Sequence, residues 1–208
     1  MRRSRALATF LTGGLCAAGL SACGGGDRQD KLEKAGDYKV EITSASFPAE
    51  QALADATTMK IVVRNADSKD LPNVAVTIAT QPGSSGGAAQ AFSGDIGDAS
   101  VSDASRPIWI VDKGPAGGDT ANTNTWALGP LKAGQSRRFE WQVTAVKPGD
   151  YTIDYSVSPG LNGKARAAAG ATTKGAFKVE IDDAPPTARV GRNGEVIREP
   201  GGSTAGPG

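Results

Sequence analysis

The stretch RFEWQVTAVKPGDYTIDYSV (138–157) decides the fold of this chain. In its first half Phe139, Trp141 and Val143 alternate with polar residues, and in its second half apolar residues again take every second position from Tyr151. Successive side chains of a β-strand point to opposite faces, so a period of two gives each half one apolar face. The proline, glycine and aspartate between the halves favour a turn. The stretch therefore predicts two strands connected by a turn.

Six other segments show the same alternation or a short apolar run between turn residues. They are YKVEITSASF (38–47), MKIVVR (59–64), VAVTI (74–78), PIWIV (107–111), TWALG (125–129) and AFKVEI (176–181). The chain also holds 28 glycines and 12 prolines, which suit many turns. Short strands that each have one apolar face are typical of two sheets packed face to face. We therefore predict an all-β fold, an immunoglobulin-like antiparallel β-sandwich, over residues 38–182.

Two longer stretches resemble a known family. MKIVVRNADSKDLPNVAVTI (59–78) and LGPLKAGQSRRFEWQVTAVKPGDYTIDYSV (128–157) are similar to bacterial CARDB-type immunoglobulin-like domains. That resemblance covers about half of the chain and implies the sandwich fold in a surface or secreted protein. The block RPIWIVDKGPAGGDTANTNTWALGPL (106–131) resembles an element of exported proteins from high-GC actinobacteria, and this second resemblance implies no particular function.

Residues 1–22 predict a secretory signal peptide. Three arginines at the start precede the apolar run ALATFLTGGLCAAGL (6–20), and the small residues Ser21 and Ala22 follow it. A run of this length is shorter than the roughly 20 apolar residues that a membrane-spanning helix needs. A true transmembrane anchor and twin-arginine export are the alternatives, and the pattern favours neither.

The segment LSAC (20–23) resembles the lipobox of bacterial lipoproteins. The resemblance implies cleavage between Ala22 and Cys23 and a covalent diacylglycerol, typically with palmitate, on the Cys23 thiol. Two acyl chains give durable attachment, whereas one chain binds a membrane only marginally. The implied location is the outer face of the cytoplasmic membrane, or the outer membrane if the organism has one. The alternative is an ordinary thiol after a soluble-export signal.

Two segments flank the predicted sandwich. Residues 23–37, with the sequence CGGGDRQDKLEKAGD, are rich in glycine and charge, so we predict a lipidated flexible tether. Residues 183–208 contain Asn193-Gly194, a pair that suits a tight I′ hairpin turn, followed by a disordered tail. An isolated hairpin is marginally stable in water, so it is expected to dock on the sandwich or fray.

Composition restricts the chemistry. The chain has no histidine, which excludes Ser-His-Asp triads and imidazole metal sites. Removal of the signal peptide leaves Cys23 as the one cysteine, so no internal disulfide can form. Asp95, Asp98 and Asp103 could supply oxygens to calcium, but a solvated loop is favoured. The net charge of +1 gives no basic field for nucleic acid. We predict no catalytic residues, no metal and no cofactor besides the lipid, although a pair of acidic residues could in principle serve a hydrolase.

The candidate binding surface involves two tryptophans. Trp109 and Trp126 flank the loop KGPAGGDTANTN (113–124), and they would stack on a sugar if exposed or pack between the sheets if buried. A longer loop, 80–105, is small-residue-rich, and the two loops are expected at opposite ends of the sandwich because they flank one strand. We predict a non-enzymatic, lipid-anchored envelope protein that presents its domain to a protein or glycan partner. The alternatives are a carbohydrate-binding module, an accessory subunit of an envelope hydrolase, and a structural spacer.

Overall fold

The computed structural model describes residues 30–31, 33–81, 90–94, 106–122, 124–184 and 187–199. These residues form fifteen strands and no helix, which confirms the all-β prediction. The strands are β1 (Gly36–Tyr38), β2 (Val40–Ser46), β3 (Glu50–Ala52), β4 (Ala56–Asn65), β5 (Ala75–Thr80), β6 (Phe92–Ser93), β7 (Trp109–Lys113), β8 (Asp119–Asn122), β9 (Thr125–Ala127), β10 (Ser136–Ala145), β11 (Gly149–Ser158), β12 (Ala165–Ala167), β13 (Lys174–Asp182), β14 (Thr187–Val190) and β15 (Val196–Glu199). Among the described residues, no helix is long and apolar enough to cross a bilayer.

Two sheets form the sandwich. The first has the order β2-β4-β10-β7-β6 and the second has the order β3-β13-β11-β5-β9-β8. In immunoglobulin nomenclature, β2, β4, β10 and β7 take the A-B-E-D positions, while β13, β11 and β5 take G-F-C. The N-terminal strand divides between the sheets, because β2 pairs antiparallel with β4 and β3 pairs parallel with β13. This topology confirms the immunoglobulin-like sandwich.

The connection between β5 and β10 departs from the simple immunoglobulin order. After β5 the chain enters the first sheet, where β6 and β7 pair in parallel and β7 pairs with β10. It then returns to the second sheet, where β9 pairs antiparallel with both β5 and β8. The chain thus crosses the sandwich twice before β10, which brings the first sheet's β6–β7 edge close to the second sheet's β8–β9 edge.

Apolar side chains from both inner faces form one core, as the alternation predicts. Phe139, Trp141 and Ile153 are fully buried, and burial of such a side chain contributes about 1.5–3 kcal/mol. Phe92 is also buried, and its ring centroid lies 5.9 Å from that of Trp109. The sequence places Phe92 in an aperiodic loop, so the alternation gave no indication that it belongs to the core.

Strand β2 contains a bulge. Its pairing with β4 shifts between Ile42 and Ser44, which leaves Thr43 as an extra residue. Ile42 is partly buried before the bulge, and Ala45 and Phe47 turn toward the core after it. An extra residue reverses which positions face inward, so a single period of two cannot describe this strand.

Part of the predicted flexible tether, 23–37, is held on the domain. Residues 23–29, with the predicted lipid site Cys23, lie outside the described residues, as does the predicted signal peptide. Glu33 is 8% exposed, and β1 pairs in parallel with β12. The flexible tether is therefore wrong for 33–37, because this segment finds hydrogen-bonding partners on the domain.

A hairpin follows the last core strand, as the sequence predicts. Strands β14 and β15 pair from Thr187↔Glu199 to Val190↔Val196, which leaves a five-residue loop between them. The predicted two-residue I′ turn is therefore wrong, and of its two residues only Gly194 has a positive φ, of 84°. Val190 and Val196 are 73% and 65% exposed, so the pair is not covered by the sandwich. The predicted tail beyond residue 199 lies outside the described residues.

Candidate functional site

A groove lies where the β6–β7 edge of one sheet meets the β8–β9 edge of the other. We call it the seam groove. Its volume is ≈430 Å³, within the roughly 300–1,000 Å³ of small-molecule sites. The nine lining residues are Gln90, Phe92, Ser93, Gly94, Val111, Gly114, Gly118, Asn124 and Trp126.

Strand pairing brings two sequence loops together at this groove. The backbone N–H groups of Ile108 and Trp109 donate to the carbonyls of Gln90 and Ala91, both at 3.0 Å. Residues 90–94 therefore run alongside β7 toward the second loop, 113–124. The expectation that the two loops emerge at opposite ends is wrong for 90–94, because this segment pairs in parallel with the start of β7 and so points toward the second loop.

Asn124 brings a side-chain amide to the groove from a left-handed backbone conformation. Its φ is 62°, a conformation that asparagine adopts more readily than most residues. Its backbone carbonyl accepts a hydrogen bond of 2.9 Å from the Ile78 N–H, which fixes the turn against β5. Across the groove, Gln90 Nε2 donates to Asn124 Oδ1 at 3.3 Å.

The two amides give the groove a neutral polar surface. Their mutual bond leaves Gln90 Oε1 as an acceptor and Asn124 Nδ2 as a donor, neither with a partner among the described residues. None of the nine lining residues is charged. The rings of Phe92 and Trp126, whose centroids are 6.0 Å apart, form the apolar part. The arrangement can bind hydroxyl or amide groups, and it presents no base to activate a nucleophile.

Of the two alternatives for Trp109 and Trp126, exposure to a ligand or packing between the sheets, the structure shows the second. Trp109 is fully buried, and its Nε1–H donates to Gln51 Oε1 at 2.7 Å. Trp126 is 7% exposed and makes a T-shaped contact with Trp141 at 5.4 Å between centroids. Both rings therefore pack between the sheets, and only the edge of Trp126 borders the groove. The sequence reasoning missed Gln90 and Asn124 because polar residues in glycine-rich loops carry no periodic signal.

The remaining candidates are three aspartates and two groups with shifted pKa values. Asp95, Asp98 and Asp103 are outside the described residues, and the described ones bring together no set of three potential metal ligands. A hydrogen bond from the Lys39 backbone N–H, 3.0 Å long, lowers the pKa of Asp67. Burial raises the pKa of Tyr151, a residue that does not line the seam groove.

A second groove lies at the opposite seam, between β2 and β13. It has a volume of ≈500 Å³ and is lined by Ala45, Ser46, Phe47, Pro48, Thr58, Lys60 and Phe177. The rings of Phe47 and Phe177 lie 5.8 Å apart on its wall. Its lining has no pair of polar side chains aimed at each other, so the seam groove is the better candidate site.

No protein-family model and no curated protein sequence matches the chain. Solved structures with a similar arrangement of strands include the CARDB domain of the PF1109 protein from Pyrococcus furiosus, described in complex with di-metal ions. It is 14% identical, with a TM-score of 0.41, and the match covers 73% of this chain and 97% of that one. A cohesin module from a Clostridium perfringens family 33 glycoside hydrolase is 6% identical, with a TM-score of 0.42 and coverage of 71% and 99%. A PapD-like domain of human CEP192 is 14% identical, with a TM-score of 0.39 and coverage of 73% and 89%.

These similarities concern the fold alone. The chain is an immunoglobulin-like β-sandwich, and a CARDB domain is among the similar structures, in line with the sequence resemblance. Ligands or partners named for those proteins belong to them, and the low identities carry no functional argument for this chain.

Proposed function

We propose that this protein is a lipid-anchored, non-enzymatic binding protein of the cell envelope. In this proposal the chain is exported, diacylglycerol on Cys23 holds it at the membrane, and the sandwich binds an envelope protein or a glycan. The observation that carries the binding role is the seam groove, which offers paired amides and an apolar wall without a charged side chain. The segment LSAC (20–23) after an apolar run supports the anchor.

Composition supports the non-enzymatic part of the proposal. Hydrolysis of acyl or glycosidic bonds needs an activated nucleophile or a pair of acidic residues on either side of the bond. The part of the groove lining that the structure describes has neither, and the chain has no histidine to serve as a base. Amides and glycines instead suit reversible binding through hydrogen bonds.

The docked N-terminal segment limits the distance between lipid and domain. Glu33 is held on the sandwich, ten positions after Cys23 in the sequence. A fully extended chain spans at most about 3.6 Å per residue, so the docked Glu33 lies within about 36 Å of the lipidated sulfur. The proposal therefore keeps the domain close to the membrane surface.

The anchor is tested by fatty-acid labelling. Cells that express the wild type, Cys23→Ser or Cys16→Ser are grown with an alkyne analogue of palmitate, and the purified chains are examined by mass spectrometry. We expect label on the wild type and on Cys16→Ser, with a mature N-terminus at residue 23, and no label on Cys23→Ser. An unlabelled wild-type chain that still begins at Met1 and stays in the cytosol would overturn the proposal.

The second candidate is a carbohydrate-binding module or an accessory subunit of an envelope hydrolase. The amide pair of Gln90 and Asn124 favours it, because amides and sugar hydroxyls can each donate and accept hydrogen bonds. Co-purification of the tagged protein with one defined glycoside hydrolase, and a higher turnover of that enzyme in its presence, would support the accessory role over an independent binding protein.

A further inference from the structure

We infer that the seam groove is the ligand site and that its ligand is a neutral, hydroxyl-rich glycan segment. This inference deepens the proposed function by naming the ligand class and the residues that bind it. It depends on the binding role but not on the lipid anchor, because the groove belongs to the sandwich itself.

Among the residues that the structure describes, the groove lining has no charged side chain, and this argues against ionic ligands. The lining consists of amide, hydroxyl, glycine, valine and aromatic groups. An ionised ligand group that leaves water for such a surface loses its hydration and gains no opposite charge. Phosphate, uronate or an ammonium group is therefore disfavoured.

The amide pair argues against a purely apolar ligand. Gln90 Oε1 and Asn124 Nδ2 have no partner among the described residues, so a hydrocarbon that covered them would leave both polar atoms unsatisfied. Each such loss costs about 1–3 kcal/mol. A hydroxyl group can donate to Gln90 Oε1 and accept from Asn124 Nδ2, which matches both needs. The edge of Trp126 can contact the C–H face of a sugar ring.

The shape of the groove favours a glycan over an extended peptide. A peptide that joins a sheet needs a row of free backbone N–H and C=O groups along an edge strand. The two edge strands at the groove are both short, since β6 has two residues and β8 has four. Gly94 and Gly114 instead leave open space for a compact ring. A Cβ at Gly94 would have no atom within 4 Å, and one at Gly114 would lie 3.8 Å from Trp126 Nε1.

The test is a titration of the full-length protein in detergent with maltotriose, cellotriose and chitotriose, alongside trigalacturonic acid as a charged counterpart. Binding is followed by calorimetry and by tryptophan fluorescence, to which Trp126 on the groove wall contributes. We expect saturable binding of at least one neutral trisaccharide, and weaker binding of the charged one. Saturable binding by none of the neutral sugars, or tighter binding of trigalacturonic acid, would overturn the inference.

A matched pair of variants locates the site. Asn124→Gly removes the amide, and glycine readily adopts the φ of 62° there. Ala54→Gly changes the other described non-glycine residue with a positive φ, 64°, which lies outside the groove lining. Loss of one or two hydrogen bonds is expected to weaken sugar binding about three- to tenfold in Asn124→Gly and not in Ala54→Gly. Gly94→Leu adds a side chain to the groove lining, and its Cβ meets no described atom within 4 Å, so this variant is expected to weaken binding at least as much.

Equal affinity of the wild type, Asn124→Gly and Gly94→Leu would place any sugar site elsewhere and refute the inference. The outcome is independent of the lipid test. If Cys23 is labelled and no sugar binds, only the glycan assignment is refuted. If Cys23 is unlabelled and sugar still binds, only the lipid anchor is refuted.

Discussion

Replacing Glu33 with alanine is expected to destabilise the sandwich far more than an ordinary surface substitution. The Glu33 carboxylate accepts hydrogen bonds from the Leu161 N–H at 2.8 and 2.9 Å and from the Asn162 N–H at 3.2 Å. Asn73 Nδ2 approaches the same carboxylate at 3.4 Å. The side chain is 8% exposed, so water cannot readily replace it.

The expected loss of stability in Glu33→Ala follows from the backbone N–H groups that this substitution leaves without an acceptor. A hydrogen bond to a charged group contributes about 1.5–3 kcal/mol, and a buried donor without a partner costs about 1–3 kcal/mol. Two backbone N–H groups depend on Glu33, so we expect the free energy of unfolding to fall by about 2–6 kcal/mol. In a domain of this size, that loss lowers Tm by roughly 4–24 °C.

Urea unfolding followed by tryptophan fluorescence measures the effect. Glu41→Ala is the matched control, since Glu41 is an exposed carboxylate on β2 and its loss should change stability by less than about 0.5 kcal/mol. Glu33→Gln keeps one carbonyl oxygen and is expected to fall between the wild type and Glu33→Ala. If Glu33→Ala unfolds within about 0.5 kcal/mol of Glu41→Ala, the N-terminal segment is not docked as described.

Three further outcomes are expected. Gly160→Ala should lower the free energy of unfolding, measured with urea, by about 1–3 kcal/mol, because a Cβ there would lie 2.8 Å from Glu33 Oε2. A variant as stable as the wild type would contradict this packing. Trp109→Phe should destabilise the fold by about 1–3 kcal/mol more than Trp141→Phe, because Trp109 donates to a buried amide while Trp141 Nε1 has no partner among the described residues. Equal losses would argue against that difference. Burial raises the pKa of Tyr151, so its neutral form stabilises the fold fully below about pH 10, and this contribution is lost as pH rises through the raised pKa. Tyr151→Phe should therefore flatten the alkaline loss of stability measured from pH 8 to 11, and an unchanged slope would refute this.

The strands could be predicted because their signal is local. Phe139, Trp141 and Val143 alternate with polar residues, and all three are buried on the inner face of β10. Alternation reports which side of a strand faces the core, and this needs no knowledge of the partner strand. It fails at Thr43, where an extra residue in β2 reverses the faces.

The candidate site could not be predicted in the same way. Exposure of Trp109 and Trp126 depends on whether a second layer covers them, and the covering ring, Phe92, comes from a segment without a repeating pattern. Gln90 and Asn124, which are 34 positions apart, meet only because β6 runs parallel to β7. Neither residue type indicates a binding site until that pairing is known.

The sequence by itself determined the all-β class and the two-layer sandwich, because both follow from neighbouring residues and their spacing. The lipid on Cys23 stays a prediction from the resemblance of residues 20–23 to a lipobox. Only the tertiary structure decided that Glu33 binds the backbone of Leu161, 128 positions away, and that the amides of Gln90 and Asn124 meet at the seam groove. Such contacts join distant parts of the chain, and their geometry is set by the packing of the whole core. A local pattern cannot carry that information.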